Sequence, residues 1–226
     1  MRYLGLALYA EGKTDYSFLP PLLRRLSESI CLASANTIID IGDVHPLTFN
    51  QSQVIHPERD HTTRVIELIC KAQGVFNILF YHTDGAGDYD AAFEQRFRPI
   101  TLAYCERTDS LDERLVAVIP IREMEAWTLV DGDAIRSVFG TTMSNKELQV
   151  PEPCHLVESI PDPKRHLEQM YTLIVGSAVR ARRAKVSSFL SSLGESVSLE
   201  VLRLLPAFKK MEEDLTQALC QLGYLS

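Results

Sequence analysis

Long apolar runs are missing from this 226-residue chain. Nothing in it approaches the roughly 18 consecutive apolar residues of a membrane-spanning helix, so a protein with no membrane span is expected. Cysteine is scarce and scattered: Cys31, Cys70, Cys105, Cys154 and Cys220 form no CxxC pair and no zinc-ligand spacing. An odd cysteine count, with no small-residue cleavage pattern behind the short apolar run at 3–10, predicts reduced thiols and a cytoplasmic location. The histidines show no HxH or HExxH spacing. A P-loop is lacking too, because Gly12-Lys13-Thr14 ends like one but the first glycine of GxxxxGK[ST] would fall at Ala7.

Positive charge does not predominate either. Thirty acidic against 23 basic residues leave a formal charge of -7, which argues against coating nucleic acid by bulk charge. It leaves room for an enzyme whose acidic centre is balanced by bound cations. The basic residues Arg180, Arg182, Arg183 and Lys185 gather in one stretch, read either as a solvated helix face or as phosphate contacts.

What the chain does contain is a globular composition, 46% hydrophobic and 23% charged, with no internal repeat. Its length suits one core with a helical appendage. Apolar runs at 3–9, 37–41, 75–81 and 115–119 predict strands. Helical periodicity is expected from Asp15 onward, with Thr14 or Asp15 as N-cap and Pro20 and Pro21 near the start, and again at 62–72, 89–106, 123–130, 164–175, 178–190 and 206–222. Strand and helix alternate, so the fold class is α/β: a mostly parallel sheet flanked by helices. The expected division is an α/β core at 1–140 and a helical C-terminal region at 141–226, packed on it as one unit.

Acidic residues cluster where those strands end: Glu11; then Asp84 with Asp88 and Asp90; then Glu123 and Glu125. In an open parallel sheet these ends share one edge, where ligands bind. Carboxylates brought together there repel unless one takes up a proton or a cation neutralises them. Mg²⁺ or Mn²⁺, bound through oxygen ligands, would remove the repulsion and activate water against a phosphodiester. Gly12, Gly85 and Gly87 would let a phosphate backbone come close. Each residue also has a plainer reading. Glu11 can be a turn residue, Asp84 and Asp88 can hold a turn or cap a helix, Glu123 and Glu125 can sit near a helix dipole, and His82 can be hydrogen-bonded structure.

The segments Ala10-Glu11-Gly12-Lys13-Thr14-Asp15, His82-Thr83-Asp84-Gly85, Val118 to Trp127 (VIPIREMEAW), Pro163-Lys164-Arg165-His166-Leu167 and Leu205-Pro206-Ala207-Phe208 resemble the DUF4276 family through nearly the whole chain. The REMEAW stretch followed by Asp131 is the most specific part. The resemblance implies a Toprim-like core related to the nuclease modules of OLD-family proteins. It also implies association with an ATPase in prokaryotic anti-phage defence. On that pattern Glu11 is a metal ligand or general base, Asp84 a ligand, and Glu123 or Glu125 a further ligand, with Glu11, Asp84 and Glu125 as the catalytic set. His82 stands where many Toprim proteins carry an aspartate; it could ligate Mn²⁺ itself, and Asp88 could compensate for the missing carboxylate. Lys13, Arg122, Arg182 and Arg183 are candidate contacts to the nucleic acid, DNA first, and Gly12 lines its approach. The functions expected are a Mg²⁺- or Mn²⁺-dependent nuclease, a non-catalytic partner of an ATPase, or a metal phosphoesterase acting on small nucleotides.

Overall fold

The computed structural model describes residues 1–49, 60–108, 112–176 and 185–225. Strand β1 (Arg2–Tyr9) lies inside a four-stranded sheet between β2 (Ile39–Leu47) and β3 (Ile78–His82), and β4 (Arg114–Val118) lies beyond β3. Each neighbouring pair is parallel, giving the order β2-β1-β3-β4. The apolar continuity of β1 follows from burial on both faces. Leu4, Leu6 and Leu8 enter one core, while Ala7 and Tyr9 enter the other, as the two-residue period of a strand requires.

The expected strand at 37–41 starts later and runs to Leu47. Its polar second half, with Pro46 inside it, is tolerated because β2 is an edge strand, where a missing N–H leaves no ladder bond unmade. An extra residue bulges β2 between the positions paired with Leu4 and Leu6.

Helix α1 (Asp15–Ser34) buries Leu19, Leu22, Leu23 and Leu26. Pro20 and Pro21 fall inside the helix rather than in its first turn, a placement costing about 3 kcal/mol or more. Four buried leucines, each worth roughly 1.5–3 kcal/mol, offset it. On the other face lie α2 (His61–Lys71) and a helix expected to be uniform over 89–106. It is in fact α3 (Tyr89–Ala92), a π-helical turn (Phe93–Phe97) and α4 (Arg98–Cys105) in succession.

After β4 come the single turn α5 (Glu125–Thr128) and α6 (Gly132–Phe139), where one helix over 123–130 was expected. Asp131 separates them. Its Oδ1 accepts from the backbone N–H groups of Asp133 and Ala134 at 2.9 and 3.2 Å, and its Oδ2 from that of Ser198 at 2.9 Å. The turn-rich stretch beyond holds α7 (Asn145–Leu148), closed by a Ser144/Glu147 capping box, and a 3₁₀ turn at Cys154–Ser159. Then follow α8 (Pro163–Val175), α9 (Leu190–Ser196), α10 (Leu199–Leu202) and α11 (Pro206–Gln221). Of the helix expected at 178–190, residues 178–184 lie outside the described ones, and Val186–Phe189 is a 3₁₀ turn leading into α9.

One buried cluster joins Leu4, Leu8 and Leu22 to Leu167, Leu193, Phe208 and Leu225, so residues before and after position 140 share a core. No helix among the described residues is long and apolar enough to cross a membrane.

Candidate metal centre at the strand ends

Three loops leave the C-terminal ends of β1, β3 and β4 and meet in a cavity of about 140 Å³. Its lining carries five carboxylates, from Glu11, Asp15, Asp84, Glu123 and Glu125, together with His82 and Lys164.

The β1 loop is folded by its own first polar residues. Gly12 N–H donates to Asp15 Oδ2 at 3.0 Å, and Ala10 N–H donates to the Tyr16 hydroxyl at 2.9 Å. That hydroxyl lies 2.6 Å from the Leu47 carbonyl and so also fastens β2. Asp15 is buried, with 8% exposure. Thr14 occupies the N-cap position without a side-chain capping bond, leaving the Asp15 carboxylate turned toward β3.

There it meets His82, which is 1% exposed. His82 Nδ1 lies 2.9 Å from the Val118 carbonyl oxygen; a carbonyl only accepts, so Nδ1 carries a proton. Nε2 is thereby directed at Asp15 Oδ2, 3.4 Å away, and Asp84 Oδ1, 3.6 Å away. Burial is the largest influence on this imidazole and disfavours its charge. The Asp15 and Asp84 carboxylates with the Val118 carbonyl outweigh it, raising the His82 pKa above its ordinary value. Asp84 is raised as well, by burial first and by Asp15, Glu123 and Glu11, against the opposing pull of His82.

Glu123 and Glu125, between which the sequence leaves the choice open, both line the cavity but differ in environment. Glu123 Oε2 accepts the Lys164 backbone N–H at 3.3 Å, at the N-terminus of α8. Glu125 is 7% exposed. Its carboxyl is pushed up to about 7, chiefly by burial, with Glu123 adding to the rise and Lys164 opposing it.

The β3 and β4 loops are strapped together. Gly85 N–H donates to the Pro120 carbonyl at 2.9 Å and Gly87 N–H to the Ile121 carbonyl at 2.6 Å. A Cβ on Gly85 would lie 2.4 Å from the first of these oxygens and 2.7 Å from the Ile121 oxygen. Gly85→Ala is therefore expected to lower stability by about 1–3 kcal/mol, as overpacking does, measured as a shifted urea midpoint. An unshifted midpoint would mean that the two loops are not held together.

Asp88 is placed differently from the metal role assigned to it. It is exposed and outside the cavity lining, and its Oδ1 caps α3 by accepting the Ala91 N–H at 2.9 Å. Lys13 and Arg122 also fall outside the lining. Lys13 is exposed, and the Arg122 guanidinium packs over Gly87, whose φ of 98° favours glycine. Arg182 and Arg183 lie outside the described residues.

Three site residues have no functional reading in the sequence. Asp15 reads only as a helix cap. Lys164 follows Asp162-Pro163, a helix-start signature, but nothing local places that start against Glu123. Arg96 comes from the π-helical turn; its Nη1 donates to Thr83 Oγ1 at 2.9 Å and lies 3.9 Å from Glu11 Oε2.

Among the described residues, no three His, Cys, Asp or Glu side chains stand in a ready-made metal-holding group. In kind, the donors suit a hard divalent cation: carboxylate oxygens with one imidazole nitrogen beside them.

Neither a search of curated proteins nor one of solved structures returned a match. A family model described as a domain of unknown function, DUF4276, matches residues 10–216. With the strand-end carboxylates and REMEAW inside that span, the chain belongs to the DUF4276 family.

Proposed function

We propose that this chain is a Mg²⁺- or Mn²⁺-dependent hydrolase of nucleic-acid phosphodiesters with a Toprim-like core, DNA being the first substrate to test. The observation that carries the reading is the convergence of five carboxylates and His82 Nε2 in one small cavity at the edge of a parallel sheet. Burial first, and neighbouring carboxylates in addition, raise the proton affinities of Asp84 and Glu125, so that ionising them here carries an electrostatic cost. A divalent cation would relieve it.

Glu11, Asp84 and Glu125 would hold the ion, with Asp15 and His82 orienting them from behind. Bound there, the ion would supply a polarised water and neutralise charge on the phosphate. Arg96 positions the loop by holding Thr83 and facing Glu11. Lys164 offers a cation to a phosphate oxygen at the rim. Near neutral pH the metal-free Glu125 carboxyl exchanges its proton readily. The relation to OLD-family nuclease modules that the family resemblance implies would extend the proposal to work beside an ATPase in anti-phage defence.

A second reading has its own observation in favour. His82, with its pKa raised between Asp15 and Asp84, can itself serve as the counter-charge of the cluster, as suits a metal-free partner protein without catalytic activity.

Calorimetric titration of Mn²⁺ and Mg²⁺ into wild type and Asp84→Ala, with a plasmid-nicking assay on the same samples, separates the two. Saturable wild-type binding that disappears in Asp84→Ala, together with nicking, is expected. A folded wild type that binds neither ion at millimolar concentration and nicks nothing would hand the case to the partner reading. Hydrolysis of small nucleotides with no polymer cleavage would move the substrate to that class.

A further inference from the structure

Thr14, Glu125 and Lys164 line the acidic cavity and also a second, larger one of about 620 Å³. The second is a groove between α8 and the segment from Lys185 into α9. Its walls are mainly apolar, with Leu167, Val175, Val186 and Leu190, and Tyr171 among them. The Tyr171 ring is fixed against Phe139 and Phe189, with centroids 5.3 and 5.5 Å away.

Among the described lining residues, two cations, Lys164 and Lys185, stand with two carboxylates, Glu125 and Glu168. An apolar bed edged by the largely buried Tyr171, with a few polar groups around it, suits a base with its sugar. Its volume lies within the roughly 300–1,000 Å³ of small-molecule sites. A base still paired and stacked in a duplex cannot enter such a space without being unpaired first. Lys164 stands at the junction of groove and acidic cavity, where the phosphate joining a seated nucleotide to its neighbour would pass.

We infer that the groove seats one unpaired nucleotide beside the phosphate to be cut, so that the substrate class is single-stranded or frayed nucleic acid rather than intact duplex. The inference rests on reading the acidic cavity as a phosphodiester site. It adds a binding requirement that can be measured without any cleavage.

The probe is a short fluorescent single-stranded oligodeoxynucleotide, compared with its blunt duplex by anisotropy on the full chain in EDTA and in Ca²⁺. The single strand is expected to bind at least about tenfold more tightly than the duplex. Filling the groove from an exposed position, by Ser187→Trp, is expected to weaken single-strand binding about tenfold or more, the scale of one lost base-stacking contact, with Mn²⁺ binding and melting temperature unchanged. Thr172→Trp, on the opposite wall, must behave in the same way and serves where the first variant folds poorly. Equal or tighter duplex binding, undiminished binding in the filled variants, or no oligonucleotide binding would overturn the inference. Should the single strand bind as expected yet remain uncut with Mn²⁺, the hydrolase reading fails and the groove stands. Should wild type nick plasmid and the folded filled variants cut single strands equally well, the groove fails alone.

Discussion

Glu125→Gln is expected to stabilise the metal-free protein at pH 8 by on the order of 3 kcal/mol, while changing it little at pH 4. The Glu125 carboxyl rises from an ordinary 4.5 to about 7 on folding, and at 7% exposure solvent screens that shift little. Between those two values the folded state holds more proton than the unfolded one. Stability is thus fully present below 4.5, falls as pH rises, and levels off once pH has passed about 7. Glutamine keeps the shape and cannot ionise, so that loss disappears. His82 and Asp84 are also raised, so their contributions fall with pH in the same sense, and the variant should still lose some stability as the solution becomes alkaline. Melting temperature against pH is the measurement, at roughly 2–4 °C per kcal/mol for a chain of this size. Parallel curves for the two proteins would show that Glu125 does not carry this cost. Added Mn²⁺ should reverse the ranking, because a bound ion stabilises the form that holds it.

Trp127→Ala should have the largest purely structural effect, about 3–5 kcal/mol. The side chain is fully buried and meets Phe208 of α11 edge-on, with centroids 5.3 Å apart. Within the single turn α5 it stands two residues after Glu125, so one short helix presents a carboxyl to the cavity and an indole to the core. A helix this short has little stability of its own and relies on the indole for its position. Denaturant midpoints should fall accordingly, and Mn²⁺ affinity should fall even where the protein remains folded. Trp127→Phe should recover most of both. A loss below about 1 kcal/mol would mean that α5 is anchored elsewhere.

Strands β1, β3 and β4 were legible because burial on both faces writes them as apolar runs, and the acidic residues at their ends were legible with them. The second half of β2 was not, since most of its side chains are exposed and it shows a polar sequence containing Pro46. Asp15 escaped because an aspartate at a helix start is fully accounted for by capping. Only the position of His82 on the neighbouring strand reveals its second partner. Asp88 carried two readings, helix cap and ligand, and its carboxylate caps α3 from outside the cavity lining. For Glu123 and Glu125 the spacing was visible but not the docking of α8, which gives the first a backbone donor and leaves the second buried.

The π-helical turn at Phe93–Phe97 acts as a phase shifter. One additional residue in a turn rotates everything downstream by about 100° relative to an uninterrupted α-helix. That rotation lets Asp88 cap the start while Ile100 and Tyr104 face the core and Arg96 reaches the end of β3. Arithmetic of chain length therefore shapes this site alongside side-chain chemistry: deleting Gln95 would leave every carboxylate in the sequence and still turn either the arginine or the core face away from its target.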